Sequence, residues 1–169
     1  PISQLDRSAA HVGQIYNQRD FDGISRTATV RVESTPSLGL AMLEVFDRQR
    51  PWLDGVQLHT PPQNPQFKNL WVNWPGRAKR VPSYSFADVV EGRVNPQVFA
   101  GKLVLVGVDA TGMDPLSTPL DQLPPTAGLY LHAAVMDNLL NQRVLKTIPS
   151  QKILLLLVAI ALGTNGLLA

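Results

Sequence analysis

The residues best placed to do chemistry are Asp109, Thr111, Asp114, Ser117 and Thr118. They lie in the loop DATGMDPLSTPLDQLPPTAG, directly after the apolar run Leu103 to Val108. Two carboxylates and three hydroxyls this close in sequence can converge on a polar ligand. The carboxyl end of a buried strand is also where open α/β sheets bind ligands. The loop is long enough to be functional and not merely a connection. A loop whose Asp, Ser and Thr side chains satisfy its own backbone accounts for the same composition.

An enzymatic alternative uses the same residues. Asp109-Ala110-Thr111-Gly112 resembles the Asp-Lys-Thr-Gly motif of phosphoaspartyl transporters, with Asp109 as nucleophile. Ala110 stands where the lysine belongs, and no second acidic cluster for Mg²⁺ accompanies it. A membrane-tethered hydrolase or phosphotransferase using Asp109 is therefore the runner-up reading. A phosphate-binding loop is rejected, because Gly107 and Gly112 have the spacing but Met113 occupies the lysine position. Asp20-Phe21-Asp22-Gly23 echoes a calcium loop, but Gln18 and Thr29 fall where its acids belong, so a hairpin turn is the better reading. His11, His59 and His132 have no metal-ligand spacing, and His132, beside Ala133 and Ala134, reads as a hydrogen-bonded structural histidine. Arg77, Lys79 and Arg80 near Trp71 and Trp74 read as an exposed turn beside inward-packing tryptophans, not an RNA site. No catalytic residue, metal or cofactor is assigned.

Composition sets the bounds. The 169 residues are 44% hydrophobic and 17% charged, too apolar for a disordered chain, and the mean hydropathy of +0.01 excludes a wholly membrane-embedded one. A formal net charge of +2 is no nucleic-acid footprint. Cysteine is absent, which removes disulfides, thiolate zinc sites and thiol nucleophiles.

The elements expected to position the loop make an α/β fold. It has a mixed sheet with a buried central strand, flanking helices and a β-hairpin, plus the start of a C-terminal transmembrane helix. The hairpin pairs a strand from Val12 (VGQIYN) with Ile24 to Val32 across Asp22-Gly23. In the second strand Ile24, Ala28, Val30 and Val32 share one face with Arg26, which can pair with Asp20 or Asp22 across the turn. Thr35-Pro36 reads as a helix start, followed by a stripe of Leu38, Met42, Val45 and Phe46. A strand is expected at Leu70 to Trp74 and a short helix at Phe86 to Glu91. The run LVLVGV (Leu103 to Val108) fits a strand buried on both faces. The helix LYLHAAVMDNLLNQRVL should face Leu131, Val135, Leu139 and Leu140 inward.

Residues 1–147 form the globular part, and 148–169 begin the span. Ile153 to Leu162 reads ILLLLVAIAL, which leaves no polar face for water, and Ser150 can cap this helix. The chain opens without a signal peptide and reads as a piece of a longer membrane protein. Arg143, Lys146 and Lys152 alone favour a cytoplasmic globular part, though long domains translocate regardless of charge.

Together these blocks resemble one family, the type-2 CHASE domain. It is the extracellular sensor associated with cyclases, histidine kinases and serine/threonine kinases. The matching stretches are HVGQIYNQRDFDGISRTATV (His11 to Val30), TPSLGLAML (Thr35 to Leu43), LWVNWPG (Leu70 to Gly76) and SYSFADVVEGRV (Ser83 to Val94). They continue with FAGKLVLVGVDATGMDPLSTPL (Phe99 to Leu120) and AGLYLHAAVMDNLLNQRVL (Ala127 to Leu145), in the family's order and spacing. The resemblance implies a membrane helix, an outer sensor, further membrane helices and a cytoplasmic output domain. This chain would be the later part of the sensor, without the upstream half and its strands. The family's recurrent positions fall on Asp22, Gly23, Arg26, Gly101, Lys102, Gly107, Thr111, Thr118, Pro119, His132 and Asn138. Leu129-Tyr130 departs from the family, which tends to show Val-Glu there.

The sequence reading is thus an extracytoplasmic sensory domain of a bacterial transmembrane receptor, controlling a cyclase or kinase, with residues before Gln151 in the periplasm or extracellular space. Ligand binding or signal sensing is assigned to Asp109, Thr111, Asp114, Thr118 and His132. Turn or structural roles fall to Asp22, Gly23, Arg26, Gly101, Gly107, Pro119 and Asn138. The partners are the membrane, an unknown small-molecule or protein signal, the attached output domain and a second copy, and not nucleic acid. A purely structural dimerisation module is a further alternative.

Overall fold

Strand β1 (Thr27–Val32) is the middle of an antiparallel sheet, between β2 (Thr35–Pro36) and β3 (Phe67–Trp71). The computed structural model describes residues 7–77, 81–110, 113–122 and 125–167. β1 runs TATVRV, a β-branched sequence suited to a pleated surface. It pairs Thr27 with Trp71 and Ala28 with Leu70, then slips one residue between Thr29 and Arg31, a bulge at the fully buried Val30. The expected hairpin with the Val12 segment does not form. That segment makes one parallel bridge, Gln14 to Ser37, while the Gln14 side chain donates to the Thr29 carbonyl at 3.1 Å and the Tyr16 ring packs on Phe67. The Asp22-Gly23 turn is present, with Gly23 at φ +78. It leads instead into a strand whose partners lie further along the chain. Both faces of β1 are covered, because Ser25, Thr27 and Thr29 are buried as well as Ala28 and Val30. Alternation alone implied one open face.

Helix α1 (Leu38–Phe46) starts two residues later than the Thr35-Pro36 signal suggested. Thr35 and Pro36 pair with β1, and the Ser37 hydroxyl caps the helix by accepting from the Leu40 N–H at 3.3 Å. The buried face is Gly39, Leu40, Ala41 and Leu43, not the Leu38–Phe46 stripe; Val45 and Phe46 are exposed. Gly39 explains the choice. A Cβ there would lie 2.8 Å from the carbonyl oxygen of His132, so only glycine lets α1 approach α3 (Leu129–Leu140) this closely.

The short helix α2 spans Phe86–Val90 as expected, followed by a 3-10 turn Pro96–Phe99. The run after it corrects the sequence reading. Leu103 to Val108 belongs to no sheet, and no backbone group of residues 103–108 bonds to another described residue. Leu103 and Leu105 lean on the core, while Val104, Val106 and Val108 are 45%, 71% and 55% exposed. A strand buried on both faces needs a layer on each side, and the described residues supply one.

Beyond it, β4 (Pro115–Leu116) and β5 (Thr126–Ala127) form a two-stranded ladder. In α3, Leu131, Val135 and Leu139 are buried as expected, closing the core with Ala28, Val30, Leu40, Leu43, Leu70 and Val72. Asn138, fully buried on α3, accepts from the Asn73 N–H and donates to the Asn73 carbonyl, both at 2.7 Å. Helix α4 (Ser150–Leu167) carries the aliphatic run. Among the described residues, no helix is long and apolar enough to cross a membrane, so the expected start of a transmembrane helix is not supported. Ten aliphatic residues of helix rise about 15 Å, half of a hydrocarbon core.

Replacing Asn138 by alanine strands two backbone groups and should destabilise the protein by about 2 kcal/mol. The urea midpoint will fall, and an Asn138→Asp variant, which sets a carboxylate against the Asn73 carbonyl in this buried site, will fall at least as far.

Candidate functional site

A cavity of about 330 Å³ opens beside α3. One wall is the α3 face Tyr130, Ala133, Ala134 and Asp137, an i, i+3, i+4, i+7 set on one side of the helix. The facing wall is the turn Trp74 to Arg77, with Val81 and Pro82, and the far side comes from Thr118, Asp121 and Thr126. Two alanines on α3 make the room. Trp74 is held by its Nε1–H donating to the Ser25 carbonyl at 3.1 Å, and Asn138 fixes the neighbouring Asn73. The lining is chiefly apolar, with charged groups of both signs (Arg77, Asp121, Asp137).

Three polar groups at the cavity are positioned by local chemistry. The Thr118 hydroxyl accepts from the N–H groups of Leu120 at 3.2 Å and Asp121 at 2.9 Å, shaping the turn. Asp137 is held by Arg143 and Asn141. The Tyr130 hydroxyl donates to Asp109 Oδ2 at 3.1 Å. Burial raises the Tyr130 pKa above its usual value and the Asp109 carboxylate raises it further, so the phenol stays protonated.

Of the expected sensing residues, Thr118 lines the cavity and Asp109 reaches it through Tyr130. Asp109 is exposed and does not leave a buried strand. Asp114 sits over Gly128 at the start of α3, where its carboxylate occupies the space a Cβ would need. Ser117 serves through its backbone, accepting from the Ser25 N–H at 2.8 Å. Thr111 lies outside the described residues, as do Lys79 and Arg80. His132 faces away from the cavity, 6% exposed against α1, with Nδ1 unpartnered among the described residues. Burial lowers its pKa, and the Asp114 charge partly opposes this.

The structural set divides by neighbourhood. Arg26 bridges Asp20 at 2.7 Å and Asp22 at 2.7 Å, and its guanidinium holds the Asp22 carboxyl down to about 2. Gly101 has φ +66, a Cβ on Gly107 would meet the Leu129 side chain at 3.0 Å, and Pro119 lies in an exposed bend. Among the described residues, no group of three His, Cys, Asp or Glu side chains could hold a metal ion. Sequence reasoning missed Trp74, Tyr130, Asp121 and Asp137. Small and polar residues at helical spacing on α3 were the available signal, overlooked beside the aliphatic stripe.

These features coincide with one family. The sequence matches the family model of the CHASE2 domain over residues 2–167. The chain belongs to the CHASE2 family. CHASE2 domains are sensory domains, typically extracellular, and a cavity walled by a core helix fits that role. No curated protein and no solved structure matches the chain.

The lowered His132 pKa sets a pH dependence for this CHASE2 domain. Unfolded histidine takes up a proton near pH 6.5, while buried His132 resists until lower pH, so unfolding consumes protons in that window. Stability is full above about pH 6.5 and falls as the pH drops below it. His59, also lowered by burial, acts in the same direction. Urea midpoints measured from pH 7.5 to 5 should decline, and His132→Gln should flatten that slope.

Proposed function

We propose that this CHASE2 domain is the signal-input domain, outside the cytoplasm, of a bacterial membrane receptor controlling a cytoplasmic output domain such as an adenylate or guanylate cyclase or a kinase. The observation that supports this most is the position of α3. One face walls the cavity, and nine residues later the chain becomes α4. The connection is tied down on the way. The Leu145 N–H donates to the Trp71 carbonyl at 3.2 Å, and the Thr147 N–H donates to Gln57 Oε1 at 2.7 Å. A change in the cavity therefore has a short, packed route to the stem.

The mechanism is a population shift. A small molecule with an apolar body and polar ends occupies the cavity, contacts Thr118 and Tyr130, and prefers one setting of α3. Asp109 senses it through Tyr130, while Asp114 and His132 hold the two sides of α3. The coupling to output is about 1–3 kcal/mol, the common size for such linkage. In this reading the exposed aliphatic run of α4 enters the bilayer, beginning on the outer side.

Two experiments test the route in the full-length receptor. Ala133→Leu fills the cavity from a half-buried position; output should lose its response to signal while the melting temperature moves by only a few degrees. A Gly-Ser-Gly-Ser insertion after Thr147 should leave output constant whatever the signal. A receptor that still responds with both changes present sinks the proposal.

A further inference from the structure

The core takes Ala28, Val30, Leu70 and Val72 from one face of the sheet, and the other face is polar. There Thr29 lies directly opposite Asn69, and Asn69 directly opposite His59, so the three side chains form a row across the strands. The segment 14–18 lies over this face. The Gln14 side chain donates to the Thr29 carbonyl, the Tyr16 ring packs on Phe67 at 4.9 Å, and Asn17 donates to the Ser25 hydroxyl at 2.9 Å. Thr29 and Asn69 are only 2% and 3% exposed. Yet Thr29 Oγ1, Asn69 Oδ1, His59 Nδ1, Asn17 Oδ1 and Gln18 Oε1 are closed to water without a hydrogen-bond partner among the described residues. Three of these are amide oxygens, which only accept. The layer therefore lacks donors, and each bond left unmade is costly. His59 is the one member that can turn from acceptor to donor, by taking up a proton.

We propose that this layer is a proton-binding site, in which His59 Nδ1 takes a proton from solvent and donates the new N–H to Asn69 Oδ1. One N–H bond forms and none breaks. Asn69 is the acceptor because it exchanges both backbone hydrogen bonds with His59, each at 2.9 Å, which sets the two side chains next to each other. The Trp71 ring, stacked 5.5 Å from the imidazole, attracts the cationic ring more than the neutral one. Burial lowers the His59 pKa and the charge of Asp20 partly opposes this, so the site fills in acid. Asp20 is itself held by Arg26. The surrounding elements also carry Arg31, paired with Glu44, Arg19, which donates to the Pro115 carbonyl, and Lys68, which donates to the Thr60 hydroxyl. Lys146 and the Tyr16 phenol complete the titratable set. Both ties of the strap run through this neighbourhood. Leu145 bonds to the Trp71 carbonyl, and Thr147 bonds to Gln57, two residues before His59. Acid therefore reaches the strap without the cavity, and the inference stands whether or not a ligand occupies that cavity.

The test titrates the 169-residue chain in mild detergent from pH 7.5 to 5. Imidazolium quenches a stacked indole, so tryptophan emission should fall with a midpoint below pH 6.5. Hydrogen exchange, corrected for the intrinsic pH dependence of amides, should show Leu145 and Thr147 changing protection at least about fivefold across that midpoint. Both responses should vanish in His59→Gln and His59→Asn. They should persist in His132→Gln, which removes the other buried histidine, and in Ala133→Leu, which alters the cavity. Asn69→Ala removes the acceptor and should lower the midpoint by about one pH unit, a tenfold weaker hold on the proton. Far-UV circular dichroism checks that each variant is folded. If neither His59 variant folds, the His59 Cε1–H resonance of the wild-type chain gives the midpoint directly, and a resonance that does not titrate in this range overturns the proposal. So does an emission midpoint unchanged in a folded His59 variant. Strap protection that is constant with pH in the wild-type chain also overturns it, the result expected if water or a metal cation fills the layer at every pH.

Discussion

Asn138 holds the two halves of the packed core in one arrangement. Its amide takes both backbone groups of Asn73 in a site closed to water, and either bond left unmade would strand a buried polar group. Position 138 lies near the end of α3, and Asn73 lies just past the end of β3. The clamp therefore sets where the helix sits along the sheet, within the width of one hydrogen bond. The Gly39 crossing sets the other coordinate, how closely α3 lies against α1.

The cavity follows from those two constraints. With Asn73 held, Trp74 leaves the strand at a set angle and is anchored to Ser25, so its ring stands opposite the alanines of α3. The α3 face is divided by residue size. Large aliphatic residues at 131, 135 and 139 fill the core, and alanines at 133 and 134 leave space under the Trp74 turn. The strap that follows α3 is bonded back to Trp71 and Gln57, so the helix cannot shift without straining the path to α4.

The stretch 81–110 is built differently, although Val81 and Pro82 line the cavity. From 81 to 110 the chain is extended or briefly helical, with no buried residue; Leu103 and Leu105 lean on the core and Val104, Val106 and Val108 are exposed. One part thus supplies the packed core, while the other leaves an apolar run and its backbone groups without partners among the described residues.

The sequence alone determined what depends on neighbours in the chain. Gly23 at positive φ after Asp22, the Arg26 pairs across that turn, the short helix at Phe86 and the buried Leu131, Val135 and Leu139 stripe are all local codes read at helical or turn spacing. The ordered blocks from His11 to Leu145 likewise carried the CHASE2 family, since a family pattern is a property of the string. Tertiary structure decided everything that depends on a choice among distant partners. β1 pairs with residues 35–36 and 67–71 and not with the Val12 segment, because strands compete for edges and sequence proximity is only one advantage. α1 buries its Gly39 face because contact distance to α3, not hydrophobicity, set the fit. Leu103–Val108 has the composition of a buried strand but stands unpaired among the described residues, since composition describes what a segment can bury and only the surrounding fold supplies what it is buried against.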